Sequence, residues 1–421
     1  MADPYPIRPI TAEEYAEFRV VHEHAFNSGP SRAADLPRIN SQFEADRSLA
    51  AFDTALPASA GPVGTAGIYS LRMSVPGAVL PIAGVTAVSV LPTYRRRGIL
   101  RSLMHRQIAD IAASGEECVA ALWASETPLY GRYGYGRASS LAFFRFGRGE
   151  GALGATAPSD PLLTLRLADP VDAATELAKV YDNVHPGQPG FFARDENWWE
   201  RVLRDPEEER HGFGPLRCLV AQDGAAIRGY ALYRCAARWE DGTFLADGRL
   251  VVKELVTADP AAGAALWRDL LSRDLVTEVT ADLRPADDPV LYQLLDARRA
   301  RPRISDGLWV RIIDLPAALT RRAYACPVDV VLEITDKLLP GNAGRWRLTA
   351  DRPDGGVSCD PTSEPADVAL DVRELGAAYL GGTRLGALAA AGLVSENRPG
   401  TIRRLSAAMT WDPAPWCPQI F

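Results

Sequence analysis

The sequence predicts an α/β chain of mixed sheets divided into about three domains. Strand-like and helix-like segments alternate along the chain, which favours layered α/β or α+β folds. At 421 residues the chain is too long for one hydrophobic core, since domains usually contain roughly 100–200 residues. Its 47% hydrophobic and 24% charged residues are the proportions of a globular protein, so a packed core is expected in each domain.

Two stretches are predicted as domain boundaries. The segment 147–161 is rich in Gly, Ala and Pro and follows an aromatic, strand-like run at 141–146. The basic segment 298–306 precedes an apolar strand-like segment at 307–313, and a solvated linker explains it better than a nucleic-acid patch. We therefore expect domains at residues 1–150, 151–300 and 301–421.

The first domain opens with a predicted helix over 11–25, in which Thr11 is the N-cap and Glu14 completes a capping box. Strands are predicted at 65–73, 83–90 and 118–125. The later domains repeat the alternation, with strands at 216–221, 229–235, 249–256, 328–334 and 344–349 and helices at 262–272, 372–379 and 385–391.

Composition argues against two classes of protein. Lys and Arg number 46 against 53 Asp and Glu, a net charge of −7, so the chain lacks the positive charge typical of nucleic-acid binding. It has neither a run of about 18 apolar residues nor a basic N-terminus followed by an apolar segment. We expect a cytoplasmic protein without a membrane span, a nucleic-acid partner or a metal, whose six cysteines are reduced and mostly buried.

The segment 83–104 is the most informative part of the chain. It begins as a strand, passes through Pro92 and enters an amphipathic helix, whose apolar positions are Ile99, Leu103, Ile108 and Ile111. The turn Arg95-Arg96-Arg97-Gly98 precedes that helix, where free backbone N–H groups and the helix dipole favour a phosphate. Because Gly98 permits close approach of the backbone and the arginines add charge, this turn predicts a pyrophosphate site.

The strand before this turn changes parity. Val85 lies on one face of the strand, whereas Val88 and Val90 lie on the other, and a one-residue bulge would produce this change. Such a bulge would separate the strand from its neighbour and free a backbone N–H to polarise a carbonyl group.

Together, the strand, the Arg-x-x-Gly turn and the helix resemble the acetyl-CoA-binding core of the GNAT acetyltransferase superfamily. The segment departs from the usual pattern at Leu100, where Gly or Ala is common. Ser125-Glu126 and the run Tyr130-Gly-Arg-Tyr-Gly-Tyr-Gly136 then resemble the Eis family of actinobacteria. The resemblance is strong over 83–136 and looser elsewhere, where it rests on 308–311, 379–382 and the final Phe421.

This resemblance implies tandem GNAT-like domains followed by a sterol-carrier-like α/β domain, assembled as a homohexamer of two trimers. Only the first domain would bind acetyl-CoA. Matched residue by residue, the resemblance places Val88, Ser89 and Val90 at the acetyl-pantetheine arm, Arg96, Arg97, Gly98, Ile99, Leu100 and Arg101 at the pyrophosphate, and Ser125 with Glu126 on the next strand. It assigns the general acid to Tyr130 and the general base to the C-terminal carboxylate of Phe421.

The proposed acid and base place demands on their surroundings. Proton transfer from tyrosine to a thiolate is uphill by roughly 2 kcal/mol in model compounds, and a carboxylate needs burial to become an effective base. We therefore expect Phe421 in an apolar pocket of the N-terminal half, and three prolines and three aromatics at 411–421 are typical of a docked tail. None of the five histidines lies in a sequence context typical of catalysis.

The sequence therefore predicts an acetyl-CoA-dependent N-acetyltransferase. By family likeness its acceptors are primary amines: aminoglycosides, polyamines or lysine side chains. Asp35, Glu44 and Asp46 are candidates for an amine pocket, none of them preferred. The alternatives are a lipid or hydrophobic-ligand binding protein with a non-catalytic GNAT scaffold, and an acyl-CoA-binding effector without turnover.

Overall fold

The chain forms two units, each assembled from separate stretches of sequence. The computed structural model describes residues 3–352 and 355–421. The first unit contains residues 3–138, Leu308–Trp411 and Phe421, and the second contains Ser139–Gly307 and Asp412–Ile420.

Strands are numbered along the described chain. They are β1 (Ile7–Pro9), β2 (Leu49–Ala51), β3 (Gly64–Val75), β4 (Ala78–Val90), β5 (Val119–Trp123), β6 (Gly136–Arg137), β7 (Ser140–Gly147), β8 (Leu163–Ala168), β9 (Arg217–Asp223), β10 (Ala226–Ala236), β11 (Gly248–Thr257), β12 (Val276–Pro285), β13 (Arg303–Asp306), β14 (Leu308–Ile312), β15 (Val328–Thr335), β16 (Gly344–Arg352), β17 (Gly355–Pro361), β18 (Val368–Asp371) and β19 (Val394–Glu396).

Helices are numbered in the same way. They are α1 (Tyr15–Phe26), α2 (Leu36–Ser41), α3 (Ile99–Ser114), α4 (Thr127–Tyr130), α5 (Ala174–Val184), α6 (Glu196–Leu203), α7 (Pro260–Leu271), α8 (Val290–Gln293), α9 (Leu315–Thr320), α10 (Val372–Ala378), α11 (Leu385–Ala390) and α12 (Thr401–Met409).

The first unit contains a sheet of strand order β1-β2-β3-β4-β5-β14-β6. Its two faces are covered by different helices. Ala51 packs with Leu103 of α3, whereas the preceding Ala50 packs with Phe18 of α1, because successive residues of a strand point to opposite faces. The sheet therefore separates an α1 face from an α3 face.

The same unit contains a second sheet, of order β17-β16-β15-β18-β19. Within the unit, buried Arg311 of β14 forms an ion pair with Asp336, with 2.7 Å between Nη2 and Oδ2, and Asn342 donates to the same carboxylate. A buried charge needs a partner of this kind, so the pair fixes β14 against the segment that follows β15.

The second unit has a sheet of order β13-β7-β12-β11-β10-β9-β8. Its core contains Phe144, Phe146 and Trp267, and Phe191 and Phe192 are also fully buried. The tail segment 412–420 is held within this unit. Trp416 donates its backbone N–H to Pro189, and Arg194 donates from Nε to the side chain of Gln419 at 2.8 Å.

Most predicted elements are confirmed to within a few residues, but the limits between domains differ from the units observed. Strand β7, which precedes the expected boundary at 150, pairs with β12, because Phe144 and Phe146 pack in the second core. Strand β13 also belongs to the second sheet, whereas β14 lies between β5 and β6 of the first.

The opening helix begins at Tyr15, four residues later than predicted. Only half of the capping box is present: the Glu14 carboxylate accepts the backbone N–H of Thr11 at 3.0 Å, and no side chain caps the helix. Glu14 also forms a bidentate pair with Arg8, which draws its carboxylate toward β1. All six cysteines are free, and four are buried.

Candidate active site

The predicted bulge is present in β4. Thr65 pairs with Ser89 and Gly67 with Thr86, so three residues of β4 advance against two of β3, and Ala87 adopts a positive φ of 49°. Strands β4 and β5 pair only at two positions, Ala83–Ala120 and Gly84–Ala121. Beyond them the strands separate, so the bulged end of β4 borders a gap.

The turn after β4 has the geometry of an anion site. Arg96 and Gly98 have positive φ values of 64° and 86°, and α3 begins at Ile99 as predicted. A Cβ at Gly98 would meet no atom within 4 Å, so glycine is needed there for its backbone conformation rather than for space. The free N–H groups of the first turn of α3 lie at the end of this loop.

A cavity of about 650 Å³ lies where these features meet. It is lined by the ends of α1 and β4, by the Arg/Gly turn, by the start of α3 and by α4. Every predicted cofactor residue lines it except Arg97, and so does the predicted acid Tyr130: Val88, Ser89, Val90, Arg96, Gly98, Ile99, Leu100, Arg101, Ser125, Glu126 and Tyr130.

Arg97 points elsewhere. Its guanidinium donates to the Tyr5 hydroxyl at 3.0 Å and lies 4.7 Å from the centre of the Tyr94 ring. By contrast, Arg95, Arg96 and Arg101 line the cavity and have no carboxylate partner among the described residues. Their unneutralised charge suits a pyrophosphate, so the residues present fit the acetyl-CoA that the sequence predicts.

Tyr130 ends the short helix α4 and is 5% exposed. Burial raises the pKa of its hydroxyl above the ordinary value, and a hydrogen bond with Ser125 acts in the opposite direction. Its ring contacts that of Tyr135 edge to face at 6.2 Å. Tyr130 therefore stays protonated at neutral pH, as a general acid must.

Phe421 is buried, with 8% of its surface exposed, and belongs to the first unit. Among the described residues that line the cavity, however, Phe421 is not found. Asp35, Glu44 and Asp46 do not line it either. Glu44 is occupied elsewhere, because its carboxylate accepts both the backbone N–H and the hydroxyl of Ser70 at 2.6 Å.

The sequence interpretation missed the contribution of α1. Its last residues Ala25 and Phe26, with the following Asn27, line the cavity, and His22 lies 3.2 Å from Ser89, measured from Nδ1 to Oγ. Helical spacing puts Phe18, His22 and Phe26 on one face of α1, which was a signal that His22 faces the sheet. The sequence does not show that its partner is Ser89, because the two residues are 67 positions apart.

The second unit lacks an equivalent anion site at α7. There the N-cap Asp259 accepts the backbone N–H groups of Ala261 and Ala262 at 3.0 and 3.1 Å and pairs with Arg228. A carboxylate thus occupies the position that a phosphate would need. The expectation that only the first GNAT-like domain binds the cofactor stays a prediction.

In the part of the chain that the structure describes, no group of His, Cys, Asp and Glu side chains could hold a metal ion. No described helix is both long enough and apolar enough to cross a membrane.

Comparison with known proteins identifies the domains of the chain. A family model for the acetyltransferase (GNAT) domain matches residues 6–138, a second model of the same description matches 190–312, and a sterol carrier protein domain matches 315–418. The predicted fold class, tandem GNAT-like domains followed by a sterol-carrier-like domain, is therefore confirmed. The fold and its cavity define a GNAT N-acetyltransferase.

Full-length relatives narrow the class. The chain is 43% identical to an uncharacterized N-acetyltransferase of Streptomyces coelicolor, over 98% of this chain and 99% of the relative. It is 38% identical to the N-acetyltransferase Eis of Mycobacterium tuberculosis, over 84% and 85% of the two chains. The crystal structure of Eis1 from Mycobacterium abscessus matches with a TM-score of 0.81 at 32% identity, over 99% and 100%. The chain belongs to the Eis family of GNAT N-acetyltransferases.

Proposed function

We propose that the first unit transfers the acetyl group of acetyl-CoA to a primary amine held at the bulged end of β4. The observation that supports this most strongly is the cavity of about 650 Å³, which joins the Arg/Gly turn to Tyr130. One cavity thus contains an anion site for the donor and an acid for its leaving group.

The donor would lie in the gap between β4 and β5. Its pyrophosphate would accept hydrogen bonds from the turn at Gly98 and from Arg96 and Arg101, and its arm would run along Val88 and Val90. The bulge at Ala87 would leave a backbone N–H of β4 free to polarise the thioester carbonyl.

Tyr130 would protonate the departing thiolate. Because burial raises its pKa, the transfer is more uphill than in model compounds, and the Ser125 hydrogen bond reduces this difference. The hydrogen bond from Tyr130 would therefore stabilise the negative charge that develops on the sulfur in the transition state, before proton transfer is complete.

The C-terminal carboxylate of Phe421 would remove a proton from the acceptor nitrogen. Burial of Phe421 and its membership of the first unit support this role. Because Phe421 does not line the cavity, its carboxylate would act through one water molecule or on an acceptor that extends toward it.

The acceptors proposed are aminoglycosides, polyamines or lysine side chains, on the basis of the family resemblance. The net charge of −7 also favours encounter with cationic amines. The resemblance further supports a cytoplasmic location and assembly as a homohexamer. Light scattering of the purified chain would test the assembly.

A thiol-release assay with acetyl-CoA and a panel of such amines tests the proposal. The intact chain is expected to release thiol with at least one amine, and a chain lacking Phe421 to do so about 100-fold more slowly. Absence of amine-dependent release from the intact chain would overturn the proposed function.

The alternative of a hydrophobic-ligand binding protein has one observation in its favour. A second cavity of the first unit, of about 870 Å³, is lined by apolar Leu338, Leu388 and Leu393 and by Arg137 and Lys337, which have no described carboxylate partner. Asp336, Asp371 and Glu374 also line it, but each carboxylate already accepts a hydrogen bond, so the two cations would meet an amphipathic anion. Two results together would favour this alternative. A fluorescent fatty acid would bind the full chain and be displaced by an unlabelled one, and the chain would acetylate no amine in the presence of acetyl-CoA.

A further inference from the structure

The pair formed by His22 and Ser89 lies on the α1 side of the active site. Val88 and Val90 pack with Ile99 of α3, whereas Ser89, between them, is 3.2 Å from the imidazole of His22 on α1. Ser89 is 3% exposed and lines the cavity. Ser89 therefore borders the cavity and contacts His22.

The two faces of the sheet suit the two substrates. The turn for the pyrophosphate precedes α3, so the donor occupies the α3 side of the gap. The acceptor must reach the acetyl carbon from the other side, where Phe26 and Asn27 of α1 line the cavity. Ser89 is thus placed on the path of the acceptor nitrogen.

When the amine binds as its ammonium ion, the proposed reaction needs a proton acceptor beyond Phe421. An alkylammonium ion carries three N–H bonds and the amide product carries one, so two protons leave nitrogen. Tyr130 donates one proton to sulfur and cannot also accept one at that stage. The Phe421 carboxylate accepts a single proton, which leaves the other without a recipient.

We propose that Ser89 and His22 form a relay that accepts this second proton, an inference that rests on the proposed function. A proton passes from the ammonium to Ser89 Oγ while the hydroxyl proton of Ser89 passes to His22 Nδ1. The neutral amine then forms the C–N bond, the C–S bond breaks, Tyr130 protonates the sulfur, and Phe421 takes the remaining proton. The net charge of the site is unchanged, and one proton is later released to water.

The environment of His22 agrees with this role. Burial lowers the pKa of His22, with Glu23 acting in the opposite direction, so the imidazole is neutral at neutral pH and can accept a proton. Glu23 is itself occupied by Ser31 and by Arg19, at 2.8 and 3.3 Å. The relay requires the tautomer with its proton on Nε2, for which the described residues show no partner.

Two acceptors of similar shape test the relay. Benzylamine is an ammonium ion at neutral pH and must lose two protons, whereas phenylhydrazine is neutral and must lose only one. In the full chain, His22→Gln keeps a hydrogen-bond acceptor for Ser89 but cannot take its proton. We expect it to lower kcat for benzylamine by about 100-fold, while the rate with phenylhydrazine and the KM for acetyl-CoA change by less than about twofold.

Other outcomes are equally decisive. An unchanged benzylamine rate in His22→Gln, or equal losses with both acceptors, would overturn the relay in favour of a packing role. Ser89→Ala is a second variant and should reproduce the benzylamine defect with acetyl-CoA still bound.

If deletion of Phe421 abolishes turnover while His22→Gln does not, the relay fails and the proposed function stands. If the intact chain releases no thiol with any amine, both fail.

Discussion

At the scale of single residues, Tyr130 illustrates how burial and function combine. Tyr130 lines the cavity although only 5% of the residue is exposed. A buried phenol is a poorer acid than a free one, but it remains protonated over a wider pH range.

Tyr130→Phe removes this acid without changing the shape of the ring. We expect kcat to fall by about 100-fold or more, with the affinity for acetyl-CoA nearly unchanged. Tyr135→Phe is the matched control, since the Tyr135 hydroxyl is buried without a hydrogen-bond partner, and it should leave turnover unchanged and stability equal or higher. Equal rates in wild type and Tyr130→Phe would remove Tyr130 from the mechanism.

The pH dependence follows from the direction of the Tyr130 shift. Because its pKa lies above the ordinary value of about 10, the acid stays protonated at every pH below that value. We therefore expect kcat to show no alkaline loss below about pH 10. An alkaline limb near pH 8 to 9 that disappears in Tyr130→Phe would contradict the assignment.

The predicted residues that line the cavity and the residue that the sequence missed differ in one respect. Ser89 and Arg96 lie within a local strand–turn–helix pattern that can be read along the chain. His22 contributes through a contact with Ser89, 67 residues away, which local pattern cannot supply. Arg97 belongs to the same pattern as Arg96, but its side chain contacts Tyr5 and Tyr94. The direction of the backbone at the turn decides this, and the pattern does not contain it.

At the scale of elements, the Arg/Gly turn depends on left-handed backbone at Gly98, whose φ is 86°. Gly98→Ala should cost roughly 1–2 kcal/mol of strain, since a Cβ is disfavoured in that conformation. If the turn relaxes to avoid the strain, the affinity for acetyl-CoA falls by about tenfold.

A matched control exists at the other end of the same helix. Gly115 also has a positive φ, of 69°, and a Cβ there would likewise meet no atom within 4 Å. Gly115→Ala should lower the melting temperature without changing the affinity for acetyl-CoA, measured by calorimetry. Equal affinities in both variants would show that the turn conformation does not matter for binding.

Elements were predicted where periodicity and turn chemistry agree. The parity change at Val85 and Val88 predicted the bulge correctly because parity is a local property of a strand. The start of α1 was predicted four residues early because Glu14 also pairs with Arg8, outside the capping box.

At the scale of the whole molecule, the unit limits could not be predicted. Strand β14 lies between β5 and β6, although β5 and β6 are close in sequence and β14 follows about 170 residues later. Composition marks polar linkers, but it does not show which sheet a strand joins. The sequence therefore predicted individual strands better than the sheets to which they belong.

The position of the chain end can be tested without removing the buried ring of Phe421. Extending the chain by one glycine keeps Phe421 but displaces its carboxylate by one residue. We expect thiol release to fall about as far as it does when Phe421 is deleted, since the proposed base leaves its position in both cases. Full activity of the extended chain would show that the ring, and not the carboxylate, is what the site requires.

The central claim is that one cavity, in the first unit, binds acetyl-CoA. Calorimetric titration tests it most directly, with the neighbouring substitutions Arg96→Glu and Arg97→Glu compared with the intact chain. The structure predicts one acetyl-CoA per chain, lost in Arg96→Glu, whose side chain lines the cavity, and retained in Arg97→Glu, whose side chain lies outside it. Absence of binding, two sites per chain, or equal affinity in Arg96→Glu and the intact chain would contradict the account.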